Sequence, residues 1–168
     1  MSDPIPPGVV ATCTIFIPAY QAAGTLEAVI ERIPDSLWAS LCAVHVINDG
    51  STDDTNAVVR RIAERHPKVV LHSEAENRGY GAAVRRGLRL ALEDAAEYVI
   101  CLHADGQYPP EKLPEFLPYM EEHGVENKTF GLEMSDYHSG ADEESHLNPI
   151  GYGLRCLRVM VRYRLGAW

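Results

Sequence analysis

The sequence predicts an α/β domain, a mostly parallel sheet with helices on both faces. Short apolar runs of strand length alternate with amphipathic stretches, in the order β-α-β-α-β-α-β-α, between Thr12 and Glu122. Polar, turn-rich clusters stand just past the strand-like runs, where such a sheet places its ligand crevice. The chain has 168 residues, 46% hydrophobic and 23% charged, which is ordinary for a globular protein with a real core.

The first ten residues read as a loose leader. Thr12–Ile17 is a strand, ended by Pro18-Ala19-Tyr20. A helix follows through about Arg32, with Thr25 as N-cap and Leu26, Val29, Ile30 and Ile33 at helical spacing, until Pro34-Asp35 breaks it. Ala43–Ile47 is the second strand, and Asp53 or Asp54 caps a helix carrying Ala57, Val58, Ile62 and Ala63, closed by His66-Pro67. The short run Val69–Leu71 is the third strand. After the polar loop Glu74–Gly81 comes a helix over Ala82–Glu93, with Ala83, Leu88, Ala91 and Leu92 placed to face the sheet. Tyr98–Leu102 is the fourth strand and Glu111–Glu122 a helix. Beyond it the alternation fades: 126–134 is weakly patterned and Ser135–Asn148 polar. Pro149–Arg164 then reads as an amphipathic helix with Leu154, Leu157 and Val161 opposed to Arg155, Arg158, Arg162 and Arg164. The expected division is a ligand-binding core over 1–125 and a second segment over 126–168.

A net charge of −9 argues against nucleic acid as a partner, since such binding needs a basic footprint. An anionic ligand then requires positive charge brought locally, by a metal, by helix N-termini or by a few arginines. The four cysteines, Cys13, Cys42, Cys101 and Cys156, form no C-x-x-C pair, and Cys13 and Cys101 read as small buried hydrophobes. His45, His66, His72, His123 and His146 read as ordinary. No apolar run reaches the ~20 residues that span a bilayer, and the start does not resemble a signal peptide, so the chain is expected in the cytoplasm. The arginine-bearing last helix suits either the inner membrane surface or packing on the sheet.

Chemistry concentrates at strand ends. The apolar run Val99–Leu102 gives way to His103-Ala104-Asp105-Gly106-Gln107, and Pro109-Pro110 prevents the strand continuing. Asp105 and Gln107 are two apart, so an extended segment points both the same way. Two oxygen donors there suit a hard divalent cation, which takes few protein ligands besides phosphate oxygens. Asn48-Asp49-Gly50-Ser51 follows the second strand. Asp49 can accept from a nucleotide base there, and Gly50 lets the backbone turn. Asn77-Arg78-Gly79-Tyr80-Gly81 precedes a helix, where glycines admit a phosphate, the helix N-terminus favours negative charge and Arg78 adds a cation. Each alone is also a common turn. Together, at successive junctions, they describe a crevice for a metal-bound nucleoside diphosphate.

These segments, with Ile17-Pro18-Ala19-Tyr20 and the run through Thr55, resemble the family 2 glycosyltransferases of the GT-A fold, especially the branch of dolichol- or polyprenol-phosphate sugar synthases. The resemblance covers about residues 12–122. It implies that Pro18 and Tyr20 line the nucleotide and that Asp49 meets the base; Ala19, Gly50, Asn77, Arg78, Gly79, His103 and Ala104 are the further candidate nucleotide-binding residues. It also implies that Asp105 and Gln107 hold Mg²⁺ or Mn²⁺ on the diphosphate; His103, beside them, is a further candidate ligand from its own chemistry. The implied reaction is an inverting transfer from a nucleoside-diphosphate sugar, with a membrane lipid phosphate as one acceptor. The candidate catalytic residues are Asp105, Asp136 and His138, the last two in the turn Asp136–Gly140. The oligomeric state is open, a homodimer being one option.

The chain departs from the family pattern in places. His103 stands where the metal motif has an Asp, and Ala22 where an acid follows the Tyr. After Val125 the expected further strand is missing, and Ala141 follows Gly140 where an aromatic-Arg pair is expected. The junctions Val125/Glu126 and Gly140/Ala141 therefore read as points where internal segments of a longer enzyme are absent. Two alternatives stand beside the transferase. One is a sugar-phosphate nucleotidyltransferase, which calls for a Gly-rich, Lys-containing loop where Pro18-Ala19-Tyr20-Gln21 stands. The other is a non-catalytic nucleotide-sugar-binding module.

Overall fold

The computed structural model describes residues 12–114, all within the first of the two units into which the chain divides, residues 1–126. Strands β1 (Cys13–Ala19), β2 (Leu41–Asn48), β3 (Val69–Ser73) and β4 (Tyr98–Cys101) form one four-stranded sheet in the order β3-β2-β1-β4. Every pairing is parallel, as the alternating pattern requires. Between the strands lie helices α1 (Leu26–Glu31), α2 (Asp35–Trp38), α3 (Thr55–Arg65) and α4 (Tyr80–Glu93), and a 3₁₀ turn follows at Pro110–Lys112.

Both faces of the sheet are covered, which is why its strands read as continuous apolar runs. Ile15, Ile17, Val44 and Val46 pack on one face with Leu26, Val29, Ile30, Val58, Val59 and Ile62 of α1 and α3. Phe16 and Ile47 point the other way, against Ala83 of α4. Helix α4 buries Ala83, Gly87 and Ala91, a stripe of small residues spaced by four. The approach is close. A Cβ added at Gly87 would stand 2.3 Å from Phe16 Cδ2. Ala83 and Ala91 thus face the sheet as expected. Leu88 and Leu92 do not meet the sheet but are 46% and 80% exposed, because the small stripe, not the larger leucines, lets the helix seat.

Other expectations are met in part. Pro34 ends α1 but also sits at the N-cap of the short α2, which was not anticipated. Thr25 occupies the N-cap of α1 without a side-chain cap bond. Asp53 caps α3 from one residue before the N-cap, its Oδ1 accepting from both the Thr55 N–H (3.1 Å) and the Thr55 hydroxyl. Cys13 is buried as expected, whereas Cys101 is exposed at the end of β4. His45 is 6% exposed and belongs to a polar chain on the α4 side. Its ring nitrogens lie 3.0 Å from His72 Nε2 and 2.9 Å from Asp94 Oδ2, and the Thr14 hydroxyl donates to the same Asp94 oxygen at 2.6 Å. The leader, most of the helix expected over Glu111–Glu122, the two junctions and the helix over Pro149–Arg164 lie outside the described residues.

The strand order positions the site. Chain order moves from β1 to β2 on one side and reaches β4 on the other, so β1 marks the switch point at which open α/β sheets bind ligands. Ala19 is level with Asn48, and Asn48 with Ser73, so the loops after β1, β2 and β3 leave the sheet together.

Candidate active site

The loop after β2 is fixed from within. Asn48 is 1% exposed; its side-chain oxygen accepts the Ser51 N–H at 3.0 Å and its amide donates to Asn56 Oδ1 at 2.8 Å. Asp49, 4% exposed, donates its N–H to the Ala19 carbonyl and accepts through both carboxylate oxygens. Oδ1 takes the Arg78 N–H at 2.8 Å and Oδ2 the Gly79 N–H at 2.7 Å. Asn77 Oδ1 shares the Gly79 N–H at 2.9 Å. A carboxylate bonded to backbone N–H groups at the start of α4 is a strong, charge-assisted contact. Asp49, expected to meet a base, therefore also staples the loop before α4. Gly50 completes the staple: its φ is +70°, and a Cβ there would lie 2.5 Å from Asn77 N. Gly79 takes φ +86° at the N-cap of α4, a value that only glycine adopts readily.

The loop after β1 is tied to the same rim by Gln21, a residue without a sequence signal. Tyr20 beside it is 53% exposed. Gln21 N–H donates to Ser51 Oγ at 2.9 Å, its Oε1 accepts the Thr52 and Asp53 N–H groups at 3.1 Å each, and its Nε2 donates to Thr52 Oγ1 at 3.0 Å. Ala22 and Ala23 follow with N–H bonds to Thr55 Oγ1 and Asp53 Oδ2, both 3.0 Å. Ala22, where the resemblance expects an acid, is 5% exposed and packs in the core.

Past β4 the chain turns sooner than an extended reading allows. The strand ends at Cys101, and Gly106 has φ +77°, so Asp105 and Gln107 belong to a turn and strand alternation does not align them. Asp105, exposed, accepts its own Gln107 N–H at 3.0 Å through Oδ1. His103 Nε2 lies 3.1 Å from the Tyr80 hydroxyl, and its ring meets Tyr80 and Tyr108 edge-on, with centroids 5.7 and 4.8 Å away. Burial holds this imidazole below its usual pKa, against the pull of Asp105. Arg32, at the end of α1, clasps Glu111 through two hydrogen bonds of 3.1 and 2.9 Å and so closes the far side of this loop.

The expected residues therefore come together in one run. Asp49 and Gly50 meet Asn77, Arg78 and Gly79, and Ala19 meets Asp49. Tyr80, next in the chain, meets His103, which leads through the buried Ala104 to Asp105 and Gln107. Asp136 and His138 lie outside the described residues. Sequence reasoning passed over Gln21, the Tyr80–His103 contact and the Arg32–Glu111 pair. Tyr80 was legible as the residue after the phosphate-loop glycine. The other two depend on tertiary approach.

Among the described residues no group of three or more His, Cys, Asp and Glu side chains converges on a metal position. One exposed carboxylate and one amide are still a fitting pair for Mg²⁺ or Mn²⁺ when a diphosphate supplies further oxygens. A family model for glycosyl transferase family 2 matches residues 14–159, most of the chain. The chain belongs to this family. Among relatives of this family 2 chain are the succinoglycan biosynthesis protein ExoA of Rhizobium meliloti and the dolichol-phosphate mannosyltransferase of Pyrococcus furiosus. ExoA is 35% identical over 97 residues, 58% of this chain and 29% of that protein. The Pyrococcus enzyme is 28% identical over 104 residues, 62% of this chain and 28% of that protein. The chain thus spans less than a third of either relative. Among solved structures, the mannosyltransferase PcManGT from Pyrobaculum calidifontis, in complex with GDP-Man and Mn²⁺, superposes with a TM-score of 0.54 at 33% identity. That superposition covers 63% of this chain and 31% of that one. The sheet and helices described above are those of the GT-A glycosyltransferases, as the resemblance implied.

Proposed function

We propose that this chain is the donor-binding part of a glycosyltransferase that moves a sugar from a nucleoside-diphosphate sugar to an acceptor. The observation that carries the reading is the single hydrogen-bonded rim, in which the family's motifs after β1, β2 and β3 meet at the carboxyl end of the sheet. In this reading Pro18 and Tyr20 line the nucleotide and Asp49 reaches the base from the loop it staples. Arg78 supplies the exposed cation for the diphosphate, next to the N-terminus of α4. Asp105 and Gln107 would hold the divalent cation, with His103 as a neighbouring nitrogen donor, and the cation would supply positive charge against the leaving diphosphate.

The acceptor reading is a polyprenyl phosphate, supported by the dolichol-phosphate mannosyltransferase among the relatives. A phosphate oxygen is ionised at pH 7. It attacks the anomeric carbon as the bond to the diphosphate oxygen breaks, with inversion and without a protein base. Asp136 and His138 are placed on the acceptor side, and the chain at the inner surface of a membrane. No helix among the described residues is long and apolar enough to cross one.

Calorimetric titration with GDP and UDP, with and without Mn²⁺, followed by transfer from GDP-mannose to a polyprenyl phosphate, tests the reading. Metal-dependent binding with transfer is expected; absence of binding to either nucleotide overturns it. A second reading, a binding module without turnover, is favoured by His103, which stands where the family's metal motif has an Asp. Binding without transfer to any acceptor would select it.

A further inference from the structure

Gln21 is the least explained residue of the rim. It is one of two non-glycine residues with positive φ among the described residues, at +52°, a conformation costly for a side chain with no local hydrogen bond to stabilise it. The other, Ala95, follows α4 far from the rim in sequence. Conformational cost at Gln21 persists because the side chain reaches across to the neighbouring loop and makes three of its bonds there, through Oε1 to the Thr52 and Asp53 N–H groups and through Nε2 to Thr52 Oγ1. Its own N–H adds a fourth, to Ser51 Oγ. Both ends of the amide are therefore engaged although the residue is exposed.

We infer that Gln21 is a positioning residue for donor binding: it locks the loop carrying Tyr20 to the loop carrying Asp49, and so fixes the width of the nucleotide cleft before a donor arrives. The inference rests on the functional reading above and adds a determinant to it. The lock is independent of core packing. Tyr20 stands outside the core, and without the Gln21 side chain the ties that remain around it are main-chain ones: the Ala19 carbonyl to the Asp49 N–H, the Gln21 N–H to Ser51 Oγ and the Ala22 N–H to Thr55 Oγ1. A cleft that is open part of the time binds its ligand more weakly in proportion to the fraction of time it is competent.

Chain length distinguishes this role from general stabilisation. Asn tolerates positive φ better than Gln does, but its amide sits one methylene nearer the backbone and does not span to Thr52 and Asp53. Gln21→Asn therefore eases the backbone while breaking the lock. The experiment measures GDP and UDP affinity, with Mn²⁺, by calorimetry, and thermal unfolding in parallel, for the full chain, Gln21→Asn and Gln21→Ala. Expected are a melting temperature for Gln21→Asn within error of the parent and about a tenfold loss of nucleotide affinity in both variants. Unchanged affinity in Gln21→Asn overturns the inference while leaving the functional reading intact. So does a loss of affinity that appears only alongside a large fall in melting temperature, which marks a merely structural role. Failure of the parent chain to bind either nucleotide overturns the functional reading, and the inference with it.

Discussion

Replacing Asp49 by Asn alters one atom and reverses half of a hydrogen-bond pattern. The carboxylate is 4% exposed and receives two backbone N–H groups, at 2.8 and 2.7 Å. Asn offers one oxygen. Its NH₂ then faces the remaining N–H, donor against donor, with little water to intervene. A hydrogen bond to a charged group contributes about 1.5–3 kcal/mol, and a stranded buried donor costs about 1–3 kcal/mol. Relaxation of the 77–79 loop recovers part of this, so about 3 kcal/mol is expected, a large share of the ~5–15 kcal/mol that holds a domain together. Urea unfolding followed by circular dichroism should show a lower midpoint with an unchanged slope, since the surface exposed on unfolding is the same. Nucleotide affinity should fall as well, because Arg78 and Gly79 lose their anchor. A variant with parental stability and impaired nucleotide binding would refute the staple and leave Asp49 solely as a ligand contact.

Further outcomes follow from the packing. Gly87→Ala should destabilise by about 1–2 kcal/mol, because overpacking against Phe16 outweighs the ~1 kcal/mol that Ala gains over Gly in a helix; a raised melting temperature would show that α4 lies farther from the sheet. Arg32→Ala breaks an exposed pair, so stability should change by less than about 1 kcal/mol. The Mn²⁺ concentration needed for nucleotide binding should nevertheless rise as the Asp105 loop loosens, and an unchanged requirement would separate Glu111 from that loop. His72 is held below its usual pKa, first by burial and then by His45 and Arg86. The folded state therefore resists protonating it. The stability it contributes is full above the unfolded imidazole value near 6.5 and is lost as pH falls through the lower folded value. His72→Gln should flatten the slope of stability against pH between pH 7 and 5, and an identical slope would sink this account.

Sheet type and site were legible in the sequence to different depths. Four apolar runs and the turns behind them were enough for a parallel sheet, because burial on both faces leaves its mark along nearly the whole of β1 and β2. Helix faces were less legible: Ala83 and Ala91 were placed on the sheet side, but Gly87 carries no hydrophobic signal, and Leu88 and Leu92 were grouped with the alanines although they point outward. The site motifs were visible as types of residue at strand ends. What Asp49 and Gln21 hold was not, since their partners lie 29 to 32 residues away along the chain and are largely backbone N–H groups, which every residue but Pro possesses. The turn at Gly106 defeated the extended reading of Asp105 and Gln107 for a local reason, since a left-handed glycine and an Asx bond compete with strand continuation.

The part-buried chain from His72 through His45 and Asp94 to Thr14 has a consequence for folding fidelity. It spans β3, β2, the end of α4 and β1, and Thr14 is 0% exposed. Apolar strands slide past one another at small cost, because one β-branched side chain substitutes for the next. A slip of β1 by one residue would put Cys13 or Ile15 opposite Asp94 and leave its oxygen with His45 alone in a part-buried setting, besides turning each strand residue to the wrong face. These four side chains thus act as a key that admits one alignment of three strands, and misaligned intermediates lack it. Through Ala19 and Asn48, that alignment sets how far each loop stands out at the ligand end.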